Sequence, residues 1–151
     1  MQGTVEAIFV VAAGGQPMQS VDEVTALEGC GLEGDRYCER TGYWTGVDEC
    51  QVTLIQGEHL DEIFQQTGIH VRDGEHRRNI VTRGIELEQL RGRQFQVGEA
   101  ILEYDRPRPP CSYVESLTEP GMMRALMGRG GICARVVRGG KIRVGDTIIA
   151  R

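Results

Sequence analysis

The residues best placed to do chemistry are Arg106-Pro107-Arg108-Pro109-Pro110-Cys111, two permanent cations and three prolines in front of a thiol. Proline fixes φ and removes a backbone donor, so the stretch is predicted to be an ordered loop, neither helix interior nor central strand, that delivers Cys111 to one place. Guanidinium groups near a sulfur favour the thiolate over the thiol. A positioned thiolate is a nucleophile, a sulfur carrier or a soft metal ligand. The competing reading is a cysteine buried as a small hydrophobe, and this stretch alone leaves both open.

Two further stretches carry anion chemistry. Arg77-Arg78-Asn79 runs into the apolar Ile80-Val81, the composition of an oxyanion site at a strand entrance, because guanidinium grips phosphate through two parallel hydrogen bonds. A strand flanked by solvated arginines fits the same residues. Gly29, Gly31 and Gly34 precede Asp35-Arg36-Tyr37, and three glycines so close together specify a shaped loop. Its Asp35-Arg36 pair forms either an internal ion pair or a platform that offers Arg36 to an anion. His59, His70 and His76 lack zinc-site spacing with the cysteines and read as surface residues.

The whole chain bounds what these residues can serve. A net charge of -5 argues against nucleic acid as the main partner. Acidic residues crowd positions 22 to 62 while arginines recur at 77, 78, 106 and 108, so an acidic protein can still hold a basic pocket for a small anion. Five cysteines without a Cys-x-x-Cys pair leave at least one unpaired and point to a reducing cytosol. No export signal opens the chain and no run approaches the ~18 apolar residues of a membrane span, so a cytoplasmic protein without membrane contact is expected. At 151 residues, one domain over 1–151 accounts for the chain.

The elements that must position these groups are short. Strands are predicted over Thr4 to Ala12, Ser20 to Leu27, Gln51 to Ile55, the stretch after Asn79, Gln94 to Val97 with Ala100 to Tyr104, Ala134 to Arg138, Lys141 to Val144 and Thr147 to Ala150. Helices are predicted at Gly57 to Thr67, with Leu60, Ile63 and Phe64 at helical spacing and Gly68 as a stop, and at Pro120 to Met127. Residues 38 to 50, with the only Trp at position 44, read as a flap. Many short strands with glycine turns predict a mainly β fold, a closed antiparallel β-barrel with a few short helices, since closure removes exposed edges.

Gly31-Leu32-Glu33-Gly34-Asp35-Arg36-Tyr37, Gln51-Val52-Thr53-Leu54-Ile55, Arg78-Asn79-Ile80-Val81, Phe95-Gln96-Val97-Gly98, Pro110-Cys111 and Val144-Gly145-Asp146 resemble, in order and spacing, the MOSC family. The resemblance runs from about Val5 to Ile149. It implies a MOSC-type barrel that binds the molybdopterin form of the molybdenum cofactor. It implies further that Cys111 ligates molybdenum or carries a persulfide sulfur, and that Arg77 and Asn79 hold the pterin phosphate. Arg36 and Arg108 would lie toward the same pocket, and Ser20 would be a cofactor contact. Relatives reduce N-hydroxylated compounds or take part in sulfur transfer.

The chain departs from larger members where they carry Pro-x-Lys-Ser, since it has Pro17-Met18-Gln19-Ser20. It also lacks a pyridoxal-phosphate desulfurase domain and ferredoxin-type cysteine spacing, so pyridoxal phosphate is not expected on this chain. Reduction of a small-molecule substrate would need an external electron donor, and sulfur transfer a cysteine desulfurase. Three functions remain open from the residues: a molybdenum-dependent oxidoreductase, a sulfur-carrier or cofactor-binding module without turnover, and a barrel for protein contacts with a structural Cys111.

Overall fold

In the computed structural model, which describes residues 1–151, short β-branched segments alternate with glycine turns and build a closed barrel. The strands are β1 (Gln2–Val10), β2 (Gln19–Val21), β3 (Glu23–Leu27), β4 (Gly31–Leu32), β5 (Val52–Gln56), β6 (Ile80–Arg83), β7 (Gln94–Val97), β8 (Ala100–Pro107), β9 (Ile132–Arg138), β10 (Gly140–Arg143) and β11 (Thr147–Ala150). The helices are α1 (Arg36–Glu39), α2 (Gly57–Thr67), α3 (Ser112–Leu117) and α4 (Met122–Leu126), with a 3-10 turn at Leu87–Leu90.

Seven strands close in the order β1-β6-β5-β9-β8-β7-β11, and β11 returns to β1 through the pairs Gln2↔Ile149 to Thr4↔Thr147. All the barrel pairings are antiparallel except β5 with β6, whose parallel register requires the crossover that α2 supplies. β10, β3 and β4 form a small side sheet.

β5 and β6 are buried on both faces, whereas β7 and β11 alternate buried and exposed residues. Ile8, Val52, Leu54, Ile80, Phe95 and Leu102 fill the barrel interior. Their neighbours Phe9, Ile55 and Val81 point outward and pack under Leu60, Ile63, Val114, Met122 and Leu126 of the helices. Each such side chain contributes about 1.5–3 kcal/mol on burial, so the helices are held on the barrel mainly by this second layer.

Several expectations change. The predicted strand over Ser20 to Leu27 is divided at Asp22 into β2, which extends the barrel sheet, and β3, which belongs to the side sheet. The Asp22 carbonyl accepts from Val144 N–H, in register with the β3–β10 ladder of the side sheet. The proline stretch is not all loop: Arg106 and Pro107 end β8, opposite Cys133 and Ile132, after a bulge between Tyr104 and Arg106. Pro107 is tolerated because it is the strand's last residue. α3 has no counterpart in the sequence reading, since a six-residue helix with Val114 as its one buried residue shows no periodicity.

Gly131 joins the barrel to the site. Its φ is +86°, and a Cβ there would run into the Leu54 carbonyl oxygen. Its own carbonyl accepts from Arg108 N–H at 2.8 Å. Gly131→Ala is therefore expected to lower stability by more than about 2 kcal/mol in denaturant titration, through left-handed strain plus the clash.

Candidate functional site

The residues before β6, the residues after β8, α1, α3 and the flap converge on one cavity of about 200 Å³. Arg36, Arg77, Arg78, Arg108, Cys111 and Asp48 stand in its wall. Of the six residues singled out in the sequence, the structure brings Arg36, Arg77, Arg108 and Cys111 together here. It places Asn79 and Ser20 elsewhere.

The four arginines are not equivalent. Arg36 donates to Asp35 at 3.0 Å and to the Arg77 carbonyl at 2.9 Å, and its guanidinium lies 4.1 Å over the Tyr37 ring. The Asp35 carboxylate also accepts from Val11 N–H at 3.1 Å and caps α1 through Tyr37 N–H, so this pair is an internal brace that fixes α1 against the end of β1. Arg108 donates to Asp48 of the flap at 2.8 Å.

Arg77 and Arg78 have no carboxylate. Arg77 contacts the Gln16 carbonyl, and Arg78 donates to the carbonyls of Gly130 at 2.6 Å and Arg108 at 2.9 Å. Only 9% and 7% of their surfaces are exposed. Burial lowers the pKa of both, that of Arg78 to about 10. They remain charged at neutral pH, so two buried guanidinium groups lack an anionic partner.

Arg77 and Arg78 are adjacent in sequence and both line the cavity; they precede β6, outside any strand alternation, and Arg77 adopts φ +65°. In the structure Asn79 is fully buried, its amide carbonyl accepts from Thr53 N–H and hydroxyl at 3.0 and 3.1 Å, and its NH₂ donates to the Phe9 carbonyl at 3.1 Å. With its amide bonded to both neighbouring strands it knits β1, β5 and β6, and it is not among the residues that line the cavity. Ser20 is exposed on β2 opposite Phe9 and does not line the cavity. Arg78 is thus the cation that the sequence reading under-weighted.

Cys111 is the free cysteine, half-buried at the start of α3. It shares the cavity lining with Arg78. Across the cavity, Tyr43 of the flap stacks on Tyr113 of α3 with ring centres 3.9 Å apart and planes 13° from parallel, and Trp44 meets Tyr43 edge-on. The other four cysteines form two pairs, Cys30–Cys38 and Cys50–Cys133, which the reading of a reducing compartment did not anticipate. No helix is long and apolar enough to cross a membrane.

His76 was expected at the surface but is fully buried, with its ring edge-on to Phe9 at 5.1 Å. Arg78 N–H donates to its Nδ1 at 2.8 Å, so the neutral ring carries its proton on Nε2, which has no partner. Burial first, then the charges of Arg78, Arg72, Arg36 and Arg77, push its pKa down to about 3. Because the unfolded chain binds this proton near 6.5 and the folded chain only near 3, the stability from neutral His76 is complete above 6.5 and declines below it. Chemical denaturation is expected to show a loss of about 2 kcal/mol between about pH 7.5 and about pH 5, and His76→Asn, which keeps an acceptor for Arg78 N–H, to flatten that slope.

The sequence model described as MOSC domain matches residues 41–149. The chain belongs to the MOSC family. The match covers the flap from residue 41, Arg77, Arg78 and Cys111, whereas the glycine loop and Arg36 precede it. No curated protein is matched by the sequence.

Among solved structures, the YUAD protein from Bacillus subtilis is similar with a TM-score of 0.79 at 18% identity, over 99% of this chain and 96% of that one. YiiM from Geobacillus stearothermophilus gives 0.76 at 18% identity, over 99% and 75%, and YiiM from Escherichia coli 0.72 at 20%, over 100% and 70%. At these identities the likeness concerns the fold: a mainly β MOSC barrel. The family is associated with molybdenum cofactor binding and sulfurase-type proteins.

Proposed function

We propose that the cavity receives the molybdenum cofactor, with Arg77 and Arg78 facing its phosphate and Cys111 presenting sulfur to its metal. The observation that carries this reading is the pair of buried guanidinium groups without a carboxylate, in the same cavity wall as the free thiol. The donor set fits such a group. No three His, Cys, Asp or Glu side chains cluster as a metal site, so a metal held at Cys111 would arrive with ligands of its own, as it does in a pterin dithiolene. When bound, the cofactor supplies a redox-active, sulfur-rich metal centre.

The chain's own residues do the rest. Arg77 and Arg78 bind and orient the anion through charge-assisted hydrogen bonds. Tyr43, Trp44 and Tyr113 exclude water above the thiol. Pro109 and Pro110 stiffen the approach to Cys111 and hold its sulfur in place. The reaction class that the family resemblance implies is reduction of a small N-hydroxylated compound, with electrons from an external donor. Sulfur transfer from a cysteine desulfurase uses the same thiol, but a cavity position under a flap favours a metal ligand over a carrier that must meet another protein.

Protein produced in a host that makes the cofactor, denatured and oxidised, is expected to release a fluorescent pterin. Protein from a host that cannot make it is expected to release none. Equal, background fluorescence from both would reject the reading.

A further inference from the structure

The flap over the cavity is fastened at both ends by sulfur. Cys38 lies in the last turn of α1 and pairs with Cys30, their Cα atoms 4.7 Å apart. Cys50 ends the flap and pairs with Cys133 of β9, Cα atoms 5.9 Å apart. Both separations lie within the span that a disulfide bridges. Between these anchors sit Gly42, Tyr43, Trp44 and Asp48, one wall of the cavity beside Cys111.

The two anchors differ in access. Cys50 and Cys133 are 6% and 0% exposed. Cys30 and Cys38 are half-buried and line a separate surface cleft of about 210 Å³. Tyr37 lines both the cleft and the cavity, so a single ring separates the outer cysteine pair from the space that holds Cys111.

Arg40, two residues after Cys38, caps the C-terminus of α1 with φ +59°, its N–H donating to the Arg36 carbonyl, so the segment leaves α1 at a defined turn directly beside the Cys38 anchor. With the segment in place the cavity measures about 200 Å³, below the ~300–1,000 Å³ of ordinary ligand sites, and outward movement of this wall would enlarge it.

We propose that Cys30–Cys38 is a reducible clamp on the 39–49 segment. With the disulfide closed, the segment stays over Cys111; reduced by a dithiol that enters the cleft, it is left with the Asp48 ion pairs, the Thr41 bonds to Gly14 and Ala12 and the Tyr43–Tyr113 stack, and opens the cavity more often. In that step a dithiol thiolate attacks one sulfur of the pair and breaks the S–S bond. The second thiol resolves the mixed disulfide, the dithiol leaves as its own disulfide, and Cys30 and Cys38 end as thiols, so two electrons pass with no other reactant. Cys50–Cys133, buried in the barrel wall, keeps the far end attached. The inference rests on the geometry of the flap and not on which ligand fills the cavity.

Two readouts follow the segment directly: alkylation of Cys111 by iodoacetamide, read by peptide mass spectrometry, and cleavage by trypsin after Arg40. Dithiothreitol is applied until Cys30 and Cys38 are free while Cys50–Cys133 remains closed, then removed. Both rates are expected to rise about tenfold, which corresponds to about 1.4 kcal/mol less resistance to opening. Cys30→Ser/Cys38→Ser, which touches no core residue, is expected to show the fast rates without dithiol and to ignore added dithiol. The proposal is overturned if the double variant keeps the wild-type rates, if dithiol accelerates both proteins equally, or if air-purified protein carries Cys30 and Cys38 as free thiols. A failure to bind pterin would leave these rates unchanged, so the two readings fail separately.

Discussion

Arg77→Ala is expected to weaken cofactor retention about 10- to 150-fold, the effect of losing one charge-assisted contact of roughly 1.5 to 3 kcal/mol. The guanidinium is 9% exposed and has no carboxylate partner, so solvent screens it little and no internal anion competes for it. Arg78 is a poorer probe, because its bonds to the Gly130 and Arg108 carbonyls also hold two backbone segments together. The left-handed backbone at Arg77 provides a control. Arg77→Gly is expected to lose as much binding as Arg77→Ala but to be more stable by about 1 to 2 kcal/mol, since glycine tolerates φ +65° without a Cβ penalty. Equilibrium dialysis against the cofactor, together with thermal melts of both variants, separates charge from backbone strain; a binding difference between the two variants would contradict the assigned role.

Cys111→Ser is expected to abolish molybdenum retention and any activity toward an N-hydroxylated substrate while leaving the melting temperature unchanged or slightly higher. Serine is nearly isosteric with cysteine but is a harder and far less acidic donor, so it loses the metal bond or the persulfide. The fold should tolerate it for a local reason: Cys111 occupies the N-cap of α3 without a side-chain cap bond, a position that serine favours. A loss of activity accompanied by unfolding would instead mark Cys111 as structural.

Much of this was legible in the residues, for reasons that differ by element. α2 was readable to the residue because Leu60 and Ile63 repeat at helical spacing and Gly68 ends it at φ +73°. Closure of the barrel followed from many short apolar strands, and Cys111 stood out through its prolines and arginines. The errors arose where tertiary contacts override local pattern. Arg78 lines the cavity while Asn79 lies buried between strands, in a stretch before β6 where Arg77 is left-handed, and no local motif announces that. His76 lies among charged residues in sequence but packs on Phe9, which is distant along the chain. The pairing of Cys50 with Cys133 spans 83 residues and depends on β5 and β9 being neighbours. Asp48, the carboxylate that latches the flap to Arg108, looked like one acidic residue among many.

The central claim is that Cys111 holds a metal that this chain cannot hold by itself. Its most direct test is the molybdenum-to-protein ratio of wild type and Cys111→Ser purified side by side from a cofactor-producing host, with folding of both confirmed by thermal melts. The account predicts molybdenum close to one atom per chain in the wild type and a near-complete loss in the serine variant. Equal molybdenum in the two proteins, or none in the wild type, would contradict it.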